Sequence, residues 1–99
     1  MERAKQTNIH PGTILREDVI NANQLSIGRA ANLLGISRLT LSKIVNGKGS
    51  ITPNIALRIE KVFGGSADFW LRMQRGYDLF EEKQRFENNP PKLKHFEFS

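Results

Sequence analysis

Residues 27–46 read IGRAANLLGISRLTLSKIVN, and the order of small, turn and apolar residues in this stretch decides the fold. Ser26 precedes it as a helix N-cap, Ala30, Ala31, Leu33 and Leu34 follow at helical spacing, and Gly35 ends the segment. Ser37 caps a second segment that runs to Val45 and stops at Asn46-Gly47. Two helices crossing steeply through a turn of three or four residues need a small side chain where they touch, which Ala31 supplies. The turn needs a residue at ease with positive φ, which Gly35 supplies. The second helix must bury one stripe, and Leu41, Ile44 and Val45 stand at i, i+3 and i+4. Together these residues have the spacing of a helix-turn-helix.

The face opposite that stripe holds Leu39, Lys43 and Asn46, with Ser42 at its margin, while Arg38 and Thr40 lie in the first turn. The first turn is the part of a recognition helix that meets base edges. Arg38 can give two hydrogen bonds to guanine O6 and N7, and Leu39 suits a thymine methyl. Ser37, Ser26 and Asn46 are helix caps first and phosphate contacts second. Lys48 follows the helix end, where it either balances the helix dipole or meets phosphate. Arg29 flanks the motif as a phosphate clamp. The candidate DNA-binding set is therefore Ser26, Arg29, Ser37, Arg38, Leu39, Thr40, Ser42, Lys43, Asn46 and Lys48.

Charge supports that set. The 99-residue chain carries 15 bases against 10 acids, and the excess is concentrated. Residues 26–50 hold Arg29, Arg38, Lys43 and Lys48 with no acid, and no acidic residue occurs between Asp18 and Glu60. A one-signed stretch on a folded domain attracts polyanions, although it also serves as a merely solvated basic face.

Outward from the motif, every segment reads as a helix. His10-Pro11-Gly12 opens a first one with Ile14, Leu15 and Val19, closed by Asn21-Ala22-Asn23. Thr52-Pro53 starts a fourth, with Ala56, Leu57, Ile59, Val62 and Phe63 behind it and Gly64-Gly65 as its stop. Ser66 caps a fifth that extends to about Phe86, before Asn88-Asn89-Pro90-Pro91 breaks it. No strand pattern competes, so the expected domain is all-α with five helices over residues 1–87, followed by a short C-terminal tail, residues 88–99. On the fifth helix, about residues 66–86, Phe69, Met73, Tyr77 and Phe80 form one stripe with Trp70 at its edge. Its early part should close the core and its later part should face a second copy, making these five the candidate dimer interface. After the basic region the charge reverses, with Asp78, Glu81, Glu82 and Glu87 against Lys83 and Arg85, and the tail alternates through Phe96 and Phe98. Both features suit a basic protein partner, with the first helix and its lead-in, residues 1–20, as the alternative docking surface.

Several classes are excluded. There is no cysteine, hence no disulfide framework and no zinc site built on cysteine pairs. His10 and His95 have no third ligand near them in sequence, so no metal or other cofactor is expected. No apolar run approaches the roughly 20 residues of a membrane span, and Met1–His10 lacks the apolar core of a signal peptide. A cytoplasmic location is the expectation. No thiol, no convergent carboxylates with a histidine and no glycine-rich phosphate loop suggest an enzyme.

Gly35-Ile36-Ser37-Arg38 with Asn46-Gly47-Lys48 resembles the Cro and C1 repressor class. His10-Pro11-Gly12 followed by Ile14-Leu15-Arg16-Glu17, and Asp68-Phe69-Trp70-Leu71 running into Gln74 and Tyr77-Asp78-Leu79, are similar to the HigA antitoxins of bacterial toxin–antitoxin modules. The resemblance covers roughly residues 8–80. It departs from the family at Ile27, where a glutamine is frequent, and Gly28 weakens the first turn of that helix. The resemblance implies a lambda-repressor-like fold and an antitoxin with two tasks. One is to neutralise a cognate mRNA-cleaving toxin. The other is to repress its own operon as a dimer on a palindromic duplex. A stand-alone repressor of the same class, without a toxin, is the alternative.

Overall fold

The computed structural model describes residues 8–98. Helix α1, Pro11–Ile14, widens without interruption into a π-helical stretch, Leu15–Asn21; α2 spans Ile27–Leu34, α3 Arg38–Val45, α4 Pro53–Phe63 and α5 Ala67–Asn88. Among the described residues there is no strand, and no helix is long and apolar enough to cross a membrane. The all-α, five-helix expectation is met.

The punctuation of the sequence sets these boundaries. The hydroxyl oxygens of Ser26, Ser37, Thr52 and Ser66 accept the backbone N–H groups of Arg29, Thr40, Ile55 and Phe69 at 3.0, 3.0, 3.3 and 3.3 Å. Each satisfies one of the N–H groups that a helix start leaves unpaired. Gly35 ends α2 at φ +69°, in the left-handed region, so the chain reverses into α3 without the strain a Cβ would bring.

One core joins the helices: Leu15, Ile20, Ala30, Ala31, Leu34, Leu41, Ile44, Val45, Ile51, Ile55, Ala56, Ile59 and Trp70. Leu15 and Ile20 are both fully buried although five residues apart. An α-helical turn of 3.6 residues would point them apart, whereas an i→i+5 helix returns them to one face. Val19, read as part of the stripe, is only half-buried as a result. On α4 the inward face is Ile55, Ala56 and Ile59, while Leu57 and Val62 face outward.

One close backbone approach and three polar side chains fasten the frame. Gly12 packs so closely on α3 that a Cβ there would strike the Ile44 carbonyl. Arg16 donates to the Val45 carbonyl at the end of α3, at 3.4 Å. Arg58 donates to the Leu34 and Gly35 carbonyls at the end of α2, at 2.9 and 3.1 Å. Gln74, buried on α5, accepts the Ile51 N–H at 2.8 Å and donates to Asp78 at 3.0 Å. Trp70 is the other buried residue of α5. It closes the core from beneath, because the turn at Gly64-Gly65 delivers the first turn of α5 directly onto α4. Trp70 therefore leaves the proposed partner-facing set.

Candidate nucleic-acid interface

Helix α3 is anchored from within and bare on its outer side. Leu41, Ile44 and Val45 are buried, and at about 100° per residue the opposite face is occupied by Leu39, Lys43 and Asn46. Arg38, Leu39, Thr40, Lys43 and Asn46 are all exposed and Ser42 is half-buried. Leu39 leaves 65% of its surface in solvent, an apolar group on an otherwise polar face.

The hydrogen bonds assign each polar group a state. Ser37 Oγ accepts the Thr40 N–H and donates its own proton to Thr40 Oγ1 at 2.8 Å. That arrangement leaves the Thr40 hydroxyl proton available to a further acceptor. Asn46 donates its amide to the Ser42 carbonyl at 2.8 Å, leaving its side-chain oxygen as an acceptor. Ser26 caps α2 beside the exposed Arg29. Among the described residues, no carboxylate lies within salt-bridge distance of Arg29, Arg38, Lys43 or Lys48. Four cations, two helix N-termini and two polar side-chain atoms thus face outward around one exposed leucine. That is a surface for a polyanion bearing apolar spots, as a DNA groove is. Arg58, the remaining base of the acid-free stretch, is spent on the α2 carbonyls and does not belong to the face.

Behind the face sits a latch absent from the sequence reading. His10 is buried, its Nδ1 accepts the Gly12 N–H at 2.9 Å, and its ring meets Tyr77 edge-on with centroids 4.7 Å apart. Burial pushes its pKa down from the ordinary histidine value, against a smaller upward pull from Asp78 and from a backbone bond to Gly49. Asn8 adds bonds to the Tyr77 carbonyl and to Glu81, at 3.0 and 3.3 Å. The motif that opens α1 therefore ties the end of α3 to α5. Residues 1–7 lie outside the described residues, so a docking role for residues 1–20 can be followed only from Asn8 onward.

Of the proposed interface residues on α5, Phe69 is exposed, Met73, Tyr77 and Phe80 are half-buried, and Trp70 is core. The sequence reading missed the opposite flank, where Leu79 and Phe86 are 57% and 48% exposed. The spacing of Leu71, Leu79 and Phe86 around one side of the helix was the available signal. The tail after Asn89 has no regular structure among the described residues, and Leu93, Phe96 and Phe98 are exposed.

The helix-turn-helix family matches residues 15–70. Virulence-associated protein I of Dichelobacter nodosus is 44% identical over 71 residues, 72% of this chain and 66% of that protein. A Pseudomonas aeruginosa protein solved in complex with its 28-bp operator DNA superposes with a TM-score of 0.79 at 30% identity, covering 85% of this chain and 92% of the other. The Pseudomonas aeruginosa antitoxin HigA, solved with the higBA promoter, gives 0.77 at 29% identity, covering 89% and 100%. The chain belongs to the Cro/C1-type helix-turn-helix family, and its structural neighbours are HigA-family antitoxins.

Proposed function

We propose that this protein is a non-enzymatic antitoxin that binds a palindromic operator as a homodimer, represses its own operon and neutralises an mRNA-cleaving toxin. The carrying observation is the outer face of α3, where Arg38, Leu39, Thr40, Lys43 and Asn46 stand exposed on a helix whose inner side is locked into the core. Arg38, Leu39 and Thr40 read base edges from the first turn. Ser26, Arg29, Ser37, Ser42, Lys43, Asn46 and Lys48 hold the duplex backbone around them. Operator complexes of similar structures support the same use of the motif.

Phosphate contacts make binding salt-dependent, because each neutralised phosphate releases counterions. A dimer that meets on the order of 6–10 phosphates loses roughly 10³–10⁵ in affinity between 50 and 200 mM salt. Fluorescence anisotropy with duplexes selected from a random pool measures this. A salt-independent interaction overturns the reading.

The toxin half of the proposal rests on antitoxin relatives and on charge. A toxin that grips RNA is basic, and Asp78, Glu81, Glu82 and Glu87 gather toward the end of α5. Leu93, Phe96 and Phe98 beyond them offer an apolar segment able to order on a partner. Truncation after Glu87 separates the two tasks: operator binding persists and neutralisation of the cognate ribonuclease falls. Full neutralisation by the truncated chain removes the tail from the mechanism and moves the docking surface to the α1 side.

A further inference from the structure

His10 occupies the junction of the start of α1, the turn that follows α3 and the middle of α5. Only 8% of it is exposed, and both ring nitrogens are committed. Nδ1 accepts the Gly12 N–H at 2.9 Å, which leaves Nε2 to carry the single ring proton and donate it to the Gly49 carbonyl. A Cβ on Gly47 would stand 3.9 Å from the Cβ and Cγ of His10, so the ring also lies against the turn itself. The N–H groups of Gly47, Lys48 and Gly49 fold that turn back onto the Ile44 and Lys43 carbonyls, at 3.1, 2.8 and 3.0 Å. Asn46 and Lys48, two of the groups assigned to the duplex, stand on it. His10 supports one end of the reading face from behind.

We propose that neutral His10 positions the Asn46–Lys48 turn for duplex contact, and that protonation of its Nδ1 releases the operator. The proposal rests on the operator-binding reading and adds an acid-sensitive control to it. A second ring proton would face the Gly12 N–H across 2.9 Å, donor against donor where a hydrogen bond had been. Gly12 cannot withdraw, because it packs directly on the Ile44 carbonyl. The ring must turn out instead, and the turn loses both the surface it rests on and the proton bonded to Gly49.

The groups around the ring do not relieve that clash. Arg16 of α1, bonded to the Val45 carbonyl, opposes a second positive charge, as do Lys43 and Lys48 on the α3 side. From α5, Tyr77 meets the ring edge-on and Glu81 is engaged by Asn8. Asp78 attracts a charged ring, but burial is the larger influence and keeps the ring neutral near pH 7. The predicted sign is distinctive. Acid ordinarily strengthens binding to a polyanion, and nearby phosphates favour a protonated histidine. His10 predicts the reverse for the operator. Coupling is reciprocal, so if the proton expels the duplex, the duplex must expel the proton.

The test uses the full chain and duplexes selected at pH 7.5. NMR of the labelled imidazoles follows the His10 titration with and without operator, and fluorescence anisotropy follows affinity from pH 7.5 to 5 at constant ionic strength. The His10 midpoint should move to lower pH in the complex. Below the midpoint of the free chain, operator affinity should fall by up to about tenfold per pH unit for each subunit bound, while affinity for an unrelated duplex holds or rises. His10→Asn keeps an oxygen for the Gly12 N–H but gains no proton, so its operator binding should lack the fall. His95→Asn should retain it. Circular dichroism verifies the fold at each pH, and the NMR comparison needs only the parent chain. A midpoint that is unchanged or raised by the operator, or operator affinity that follows the unrelated duplex into acid, overturns the role of His10. Failure to select any duplex at pH 7.5 sinks the functional reading instead.

Discussion

The α2–α3 pair and α5 are both helical and both carry exposed apolar residues, yet only the first pair announces its orientation in the sequence. In α3 the apolar residues that pack inward form one tight stripe, and every base lies elsewhere. Burying Leu41, Ile44 and Val45 therefore leaves no choice about which side faces outward. Helix α5 is 22 residues long and only its first half lies on the core, so one edge, Trp70–Gln74, is buried and two flanks compete for the description of apolar face. Periodicity identifies a face only when there is a single one. A helix that projects beyond its own core keeps additional faces for partners.

That contrast can be broken at the joints that hold each element. The largest effect is expected from Gly12→Ala. Its Cβ would strike the Ile44 carbonyl, a backbone atom that cannot turn aside, and α1 must lift from α3. Overpacking of this kind costs about 3 kcal/mol. Chemical denaturation should show that loss, and operator affinity should fall with it because α3 loses its support. On the other side, Gln74→Leu keeps the bulk but leaves the buried Ile51 N–H without an acceptor, costing about 1–3 kcal/mol. This change should lower the thermal midpoint while leaving the sequence preference of the folded protein untouched. If Gln74→Leu alters preference and Gly12→Ala does not, the division of labour between the two regions is wrong.

His10 couples the regions, and its sign follows from burial. The folded state holds it below its ordinary pKa, so below about pH 6.5 the unfolded chain binds the proton more readily. The stabilisation is complete above that pH and is lost as pH falls toward the folded value. Melting curves at pH 7.5 and 5.5 should differ for the parent chain and converge for His10→Asn. The smallest effect belongs to Gly28→Ala. An added Cβ meets nothing within 4 Å, so the helix gains up to about 1 kcal/mol without cost to packing.

The caps and the exposed side of α3 were legible in the sequence because both depend on neighbours within four or five residues. Ser26, Ser37, Thr52 and Ser66 cap where expected, and Gly35 takes the positive φ its position requires. What escaped depends on distant chain. On α4 the apolar residues divide, Ile55, Ala56 and Ile59 inward and Leu57 and Val62 outward, and nothing in the segment itself says how wide the supporting surface is. The burial of Ile20 needed the widened helix, and the burial of Ile51 needed Gln74, 23 residues away. Arg16 and Arg58 serve as partners for helix-end carbonyls, a role no local pattern marks. Trp70, at the early end of the stripe expected to close the core, does so and drops out of the five-residue partner contact.

The central claim is that α3 reads DNA and that α5 does not. The direct measurement selects operator duplexes with the parent chain, then compares affinities for the selected site and its single-base variants using Arg38→Ala and Arg72→Ala. Arg72 is an exposed α5 base paired with Asp68 at 2.9 Å, on the helix assigned to protein contacts. Arg38→Ala should cost about 1–3 kcal/mol on the selected site and erase discrimination at one base position in each half-site, while Arg72→Ala leaves the preference unchanged. An Arg38→Ala protein that retains the full preference, or an Arg72→Ala protein that loses it, contradicts the account.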